Sequence, residues 1–177
     1  MASVEQLYKL AKRKHIRIER LLPEGCKGGL AFRFPDLSYL IALGDDSEYS
    51  YETYTFKQAL AHEMGHCIKN AFRTIETSDE DVAEIEMVAN MWAIEKLMPK
   101  KEILAVLKDE GNISLKKLSR LFDVSQDFVM MAFAYHGLDI QRKRDGKIIK
   151  APPSKEQWQK DYKQRFLNAK KCNVEIE

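Results

Sequence analysis

His62-Glu63-Met64-Gly65-His66 places two imidazoles four residues apart with a carboxylate next to the first. On an α-helix, positions i and i+4 lie one turn apart on the same face, so both rings can converge on one ion while Glu63 stands beside it. Neutral imidazoles at this spacing suit zinc, provided that a third ligand comes from elsewhere and a fourth position stays open to water. Zinc lowers the pKa of such a water to about 7, and an adjacent carboxylate can take its proton as the oxygen attacks a carbonyl carbon. The motif therefore predicts metal-assisted hydrolysis of a peptide bond, with His62 and His66 as ligands and Glu63 as general base.

That chemistry requires the motif to be helical. Thr55 followed three residues later by Gln58 reads as a capping box, and Phe56, Ala59, Leu60, Met64, Cys67, Ile68 and Ala71 recur at helical spacing, which predicts a helix over 55–72. Gly65 inside it lowers helix propensity by about 1 kcal/mol relative to Ala, so a close neighbour is expected there, a merely tolerated glycine being the alternative. The third ligand is expected from a second helix between Thr77 and Pro99, with Thr77 and Glu80 as its capping box and Asp79, Glu80 and Asp81 at the positive end of its dipole. Glu80, Asp81, Glu84, Glu86 and Glu95 are the candidates. Val82, Ile85, Ala89, Trp92, Ala93 and Leu97 form the apolar face, with Glu86, Asn90 and Ala93 along one edge, and Glu86 is the best placed of the acids.

Three segments, Ala61-His62-Glu63-Met64-Gly65-His66, Glu86-Met87-Val88-Ala89-Asn90-Met91-Trp92-Ala93 and Leu97-Met98-Pro99, resemble the ImmA/IrrE family of metallo-endopeptidases, gluzincin-like zinc peptidases. The resemblance spans roughly 1–140 and is strongest over 55–99; Val88 stands where an acid is common in the family and Trp92 where Phe is usual. It implies metal binding by His62, His66 and Glu86 and a catalytic Glu63. It also implies an α+β fold: a mainly helical, zincin-like metallopeptidase core, a small three-stranded sheet near the N-terminus and a C-terminal helical extension. The implied activity is zinc-dependent cleavage of a specific intracellular protein, a helix-turn-helix transcriptional repressor of a phage, mobile element or stress regulon, with Mn2+ or Fe2+ as other metals such a site accepts. The contrasting reading is a non-catalytic regulatory module that binds DNA or a protein partner.

At 177 residues with 45% hydrophobic content, the chain is long enough for one full core and short for two. No apolar run reaches the length of a membrane span and the N-terminus lacks a signal-peptide core, so a cytoplasmic location is expected. Cys26, Cys67 and Cys172 are odd in number and lack paired-ligand spacing, which argues against a disulfide framework or a cysteine zinc site; Cys67 reads as a packing residue.

The N-terminal third reads as an amphipathic helix over 3–14, followed by strands at Ile16–Ile18, Leu30–Phe34 and Leu37–Leu43. A strand edge beside the active helix could pair with an extended substrate; residues 37–43 are the candidate, an ordinary core strand being the alternative. The polar run 45–52 reads as a loop into the active helix, and Tyr49, Tyr51 or Tyr54 could donate to an oxyanion. After Pro99, a short helix runs through Leu107 to Gly111-Asn112. Residues 114–137 resemble a helix-turn-helix with Ser114 and Ser125 as N-caps and Gly137 as C-cap. Its second helix has no Lys or Arg over 126–136 and carries Asp127, so packing is expected rather than DNA contact, and His136 reads as a satisfied or solvated histidine. The division expected is a metallopeptidase domain at 1–140 and a basic extension at 141–177. That extension has eleven basic against five acidic residues, and its predicted helix over 155–169 carries Trp158, Tyr162 and Phe166 as a packing stripe. Nucleic acid or an acidic partner is the alternative use of its charge.

Overall fold

The structure is a computed structural model that describes residues 1–22, 28–44, 49, 55–110, 113–141 and 148–174, with backbone alone at 141, 148 and 170–174. It is α+β, as expected: seven helices and two small sheets among the described residues.

Helix α1 (Val4–Arg13) starts at Ser3, whose hydroxyl accepts from the Gln6 N–H while the Gln6 side chain bonds back to Ser3, and it buries Leu7 and Ala11 one turn apart. Strands β1 (Ile16–Arg20), β2 (Gly29–Arg33) and β3 (Tyr39–Leu43) form a sheet of order β1-β3-β2, parallel between β1 and β3 and antiparallel between β2 and β3. Because β3 is flanked on both sides, the expectation that 37–43 offers a free edge is corrected. Its apolar composition fits that place: Ile41, Ala42 and Leu43 are buried in succession, as in an interior strand paired along both edges and packed against a helix. In β2, by contrast, Leu30 and Phe32 remain exposed, and this strand is the edge next to the active helix.

Helix α2 (Phe56–Lys69) carries the motif and packs against α3 (Asp79–Leu97). Thr55 is the N-cap of α2, but Gln58 does not complete the expected box; its side-chain oxygen accepts from the Ser125 N–H at 3.0 Å. Thr55 Oγ1 donates to the Asp123 carbonyl (2.9 Å) and the buried Lys57 Nζ to the Phe122 carbonyl (2.6 Å), so the first turn of α2 is bonded to the turn between α5 (Leu115–Phe122) and α6 (Gln126–His136). Local cap chemistry gave way to tertiary partners whose carbonyls and N–H groups are otherwise orphaned at helix ends. The predicted extension of α2 to 72 stops at Asn70, which adopts the left-handed conformation (φ 52°, ψ 40°) that Asn tolerates. The cap of α3 is Ser78 rather than Thr77: Ser78 Oγ accepts from the Asp81 N–H, and Thr77 Oγ1 is bonded to the Thr74 N–H.

Helix α4 (Lys100–Glu110) runs beyond Leu107, and Gly111-Asn112 lie outside the described residues. Ser114, Ser125 and Gly137 cap α5 and α6 as expected. Of α6 only Gln126 and Asp127 are exposed, while Phe128, Val129, Ala132, Phe133 and Tyr135 are buried, so this helix is a packing element. His136 bonds the Met98 carbonyl (2.8 Å), a satisfied histidine. A hairpin of β4 (Ile140–Gln141) and β5 (Ile148–Ile149), absent from the sequence reading, leads to α7 (Lys155–Val174), which runs beyond the predicted 155–169 and packs on α3. Trp158 on α7 is buried, with its ring 5.1 Å from Tyr135 and 5.4 Å from Tyr162. Among the described residues, no helix is long and apolar enough to cross a membrane.

Candidate metal centre

The α2–α3 contact brings His62, His66 and Glu86 together. His62 Nε2 lies 3.1 Å from Glu86 Oε2 and 3.1 Å from His66 Nε2, and His66 Nε2 lies 3.8 Å from Glu86 Oε1. Two donors held at 2.0–2.1 Å by a tetrahedral ion stand about 3.3 Å apart, so the three side chains are close enough to share one ion after small adjustments. Of the other acids considered on α3, Asp81 accepts from the Ser78 hydroxyl, Glu84 pairs with Lys163, Glu95 accepts from Tyr135 and Glu80 is exposed. Glu86 alone of the five joins the histidines in a group able to hold a metal.

What turns the ring nitrogens inward is the set of bonds on their outer sides. His66 Nδ1 bonds the Ala71 carbonyl at 2.8 Å and His62 Nδ1 bonds Asn90 Oδ1 at 3.1 Å. Asn90 cannot be turned the other way without loss, because its Nδ2 donates to the Glu86 carbonyl (3.0 Å) and to Tyr162 Oη (2.6 Å). Both imidazoles therefore carry hydrogen on Nδ1 and present Nε2 to the centre, the tautomer a metal requires. The early stop of α2 serves this end. With Asn70 left-handed, the Ala71 N–H donates to the His66 carbonyl and the Ala71 carbonyl faces back to the His66 ring.

The electrostatics call for positive charge at the centre. Burial alone would depress the His62 pKa, but the bond to Glu86 and the charges of Glu63 and Glu86 outweigh it and raise it above its ordinary value. Burial would raise the Glu86 carboxyl, yet His62 and His66 hold it low. Burial and then the charge of His62 push His66 down. A proton on His62 Nε2 meets this demand in part; a dication would meet it in full.

Glu63 stands beside this set, buried to 5% relative exposure, and burial pushes its carboxyl up to about 7. It is held by a hydrogen bond from the Ala31 backbone of β2. The strand passes so close that a Cβ on Gly29 would lie 2.5 Å from Glu63 Cγ and 2.8 Å from Leu43 Cδ2. Gly29→Ala is thus expected to displace the Glu63 side chain and lower turnover at least tenfold with little change in metal affinity, as a paired activity and metal titration would show. Tyr49, one of three candidate oxyanion donors, has its hydroxyl on the Gly28 carbonyl (2.6 Å) and the Gly44 N–H (3.1 Å); Tyr51 and Tyr54 lie outside the described residues. Cys67 is a free, buried thiol that burial pushes up to about 12, which fits packing and excludes a thiolate role near neutrality.

Comparison with known families agrees with this geometry. The profile of the family described as Peptidase_M78, IrrE N-terminal-like domain, matches residues 21–133. The chain belongs to the M78 peptidase family. The match spans α2 and α3 and therefore every residue of the metal-binding group. No curated protein and no solved structure matches the chain. Membership makes the chain a peptidase-family protein and the His62–His66–Glu86 group a possible metal site of that family. The candidate centre also involves residues to which the sequence assigns no part in it. Asn90 was placed on the correct edge of α3, and its spacing of four from Glu86 was the available signal. The Ala71 carbonyl and Tyr162 had none, because one is backbone and the other lies 72 residues from its partner Asn90.

Proposed function

We propose that this M78 chain is a zinc-dependent endopeptidase that hydrolyses a peptide bond in a specific intracellular protein. The observation that carries the reading is the convergence of His62, His66 and Glu86 on one point with the buried Glu63 beside it, next to β2, an outer strand of the sheet among the described residues. On this reading His62, His66 and Glu86 hold the ion and Glu63 is the catalytic base, residues 1–140 form the metallopeptidase unit, and the protein acts in the cytoplasm. When bound, zinc would supply Lewis acidity, polarising a carbonyl and lowering the pKa of water to about 7. Glu63 takes a proton from the attacking water and delivers it to the departing amine. The Ala31 N–H is taken by Glu63, which sets the carboxyl at the side of β2 that faces away from β3; an extended peptide pairing with the other backbone groups of that edge would pass beside it. The substrate best supported by the family resemblance is a small helix-turn-helix repressor, and a repressor encoded beside this chain is the first to test.

The metal content of the purified chain tests the site. About one zinc per chain is expected in the wild type, with loss in His62→Ala; an equal content in both would remove His62 from the ligand set. Glu86→Ala should lower zinc affinity by several orders of magnitude while leaving α3 folded, and retained tight binding would assign the third ligand elsewhere. Because His62 holds its proton more tightly than an ordinary histidine, that proton competes with the metal. Zinc affinity should fall as pH drops toward and below 6.5, by about tenfold per unit once the ring is protonated; a flat titration between pH 7.5 and 5.5 would contradict it. The reading as a DNA-binding module draws no support from α6, whose exposed residues, Gln126 and Asp127, include no basic side chain and which otherwise is buried or half-buried.

A further inference from the structure

The M78 match ends at residue 133, yet one residue beyond it is bonded into the metal-binding group's surroundings. We propose that Tyr162 of α7 is a positioning residue of the metal centre, acting through Asn90 on His62; the inference rests on the reading of His62 as a ligand.

The argument starts from what Asn90 must do. Its Oδ1 has to face the His62 Nδ1–H, because only an acceptor there leaves Nε2 free for an ion. An amide side chain turns about one bond, and one bond to the Glu86 carbonyl leaves it able to pivot. Tyr162 Oη takes the second hydrogen of Nδ2 at 2.6 Å, shorter than the 3.0 Å bond to Glu86. Two fixed hydrogens on one end of a planar group determine where its oxygen points. With the phenol gone, one amide hydrogen loses its acceptor in a half-buried place, and the side chain must reorient or admit water to satisfy it.

Tyr162 is itself held. Its ring packs on the buried Trp158 and the adjacent Lys163 pairs with Glu84 of α3, while Gln159 Nε2 makes a separate, long contact to Met91 Sδ at 3.9 Å that does not touch the phenol. The hydroxyl thus arrives on a docked helix rather than on a free tail. The chain of contacts runs from α7 through Asn90 of α3 to His62 of α2, and it makes the C-terminal helix part of the metal centre's support. Removal of an outer partner of a metal-binding histidine typically lowers metal affinity 10- to 100-fold.

The test is a titration of the full-length chain with Zn2+ against a chromophoric chelator, and with Co2+ followed by its d–d absorption, in wild type, Tyr162→Phe, Asn90→Ala and the double variant. Tyr162→Phe is expected to weaken Zn2+ binding about tenfold and to alter the Co2+ bands, while Gln159→Ala, which removes a different tie between α7 and α3, changes neither. In the Asn90→Ala background the Tyr162→Phe change should add nothing, because the path runs through the amide. Equal affinity and identical Co2+ bands in wild type and Tyr162→Phe would overturn the proposal alone, as would a full further loss in the double variant. Equal weakening by Gln159→Ala would also overturn it, by showing that any loosening of α7 suffices. A wild-type chain that binds neither ion overturns the metal-centre reading and this inference with it.

Discussion

Glu63→Gln is expected to abolish peptide hydrolysis while leaving the metal in place. Glu63 is absent from the converging ligand set, so zinc content should stay near one per chain. What is lost is the base: an amide cannot take the proton of the attacking water, and removal of a positioned general base lowers turnover by about 10²- to 10⁴-fold. The same substitution should stabilise the metal-free fold. The carboxyl rises from 4.5 to about 7 because it is buried, so the folded state binds this proton more tightly than the unfolded state. Stability therefore falls as pH rises from about 4.5 through about 7. At roughly 1.4 kcal/mol per unit, the penalty above pH 7 is on the order of 3 kcal/mol, and glutamine removes it while still accepting from Ala31. Metal-free Glu63→Gln should melt above wild type at pH 8, the gap closing toward pH 4. Undiminished cleavage would remove Glu63 from the mechanism; equal melting at both pH values would mean that its carboxylate is not held at a cost.

Gly65→Ala should disrupt the centre without touching a ligand. A Cβ there would lie 2.7 Å from the Ala89 carbonyl oxygen and 2.9 Å from Ala89 Cα, and both are backbone atoms that cannot rotate aside. Helices α2 and α3 would have to separate by several tenths of an ångström at the least. Gly65 adjoins His66, and Ala89 lies one turn from Glu86, so the displacement falls directly on nitrogen and oxygen donors now 3.1 to 3.8 Å apart. Alanine favours the helix by about 1 kcal/mol, while overpacking of this kind destabilises by about 1–3 kcal/mol, so the clash is expected to prevail. Zinc affinity should fall by tenfold or more alongside a lowered melting temperature. Wild-type affinity in a variant that folds would mean that the helices slide without spreading.

These two residues also show how far the sequence reaches. Helical spacing places His62 and His66 on one face of α2, and the interruption by Gly65 announces a close neighbour; both depend on positions within one element, where 3.6-residue periodicity is a reliable guide. Glu86 was separable from four other acids because the apolar face of α3 fixes which side meets α2. The caps at Ser114, Ser125 and Gly137 follow from local backbone chemistry and stand as read.

The corrections share the opposite character. Gln58 left its expected box for Ser125, 67 residues away, and β3 became the central strand because β1, which β2 separates from it in sequence, pairs along the edge opposite its adjacent partner β2. Which strand presents its edge to Glu63, which carbonyl fixes His66 and which phenol braces Asn90 are set by elements that meet only on folding. The sequence by itself determined the candidate ligand types, their helical register and the proposed base, since each is a matter of side-chain chemistry and spacing along a helix. The tertiary structure alone decided which strand lies beside Glu63 and which outer bonds aim the two imidazoles, because hydrogen-bond partners far apart in the chain leave no periodic trace in it.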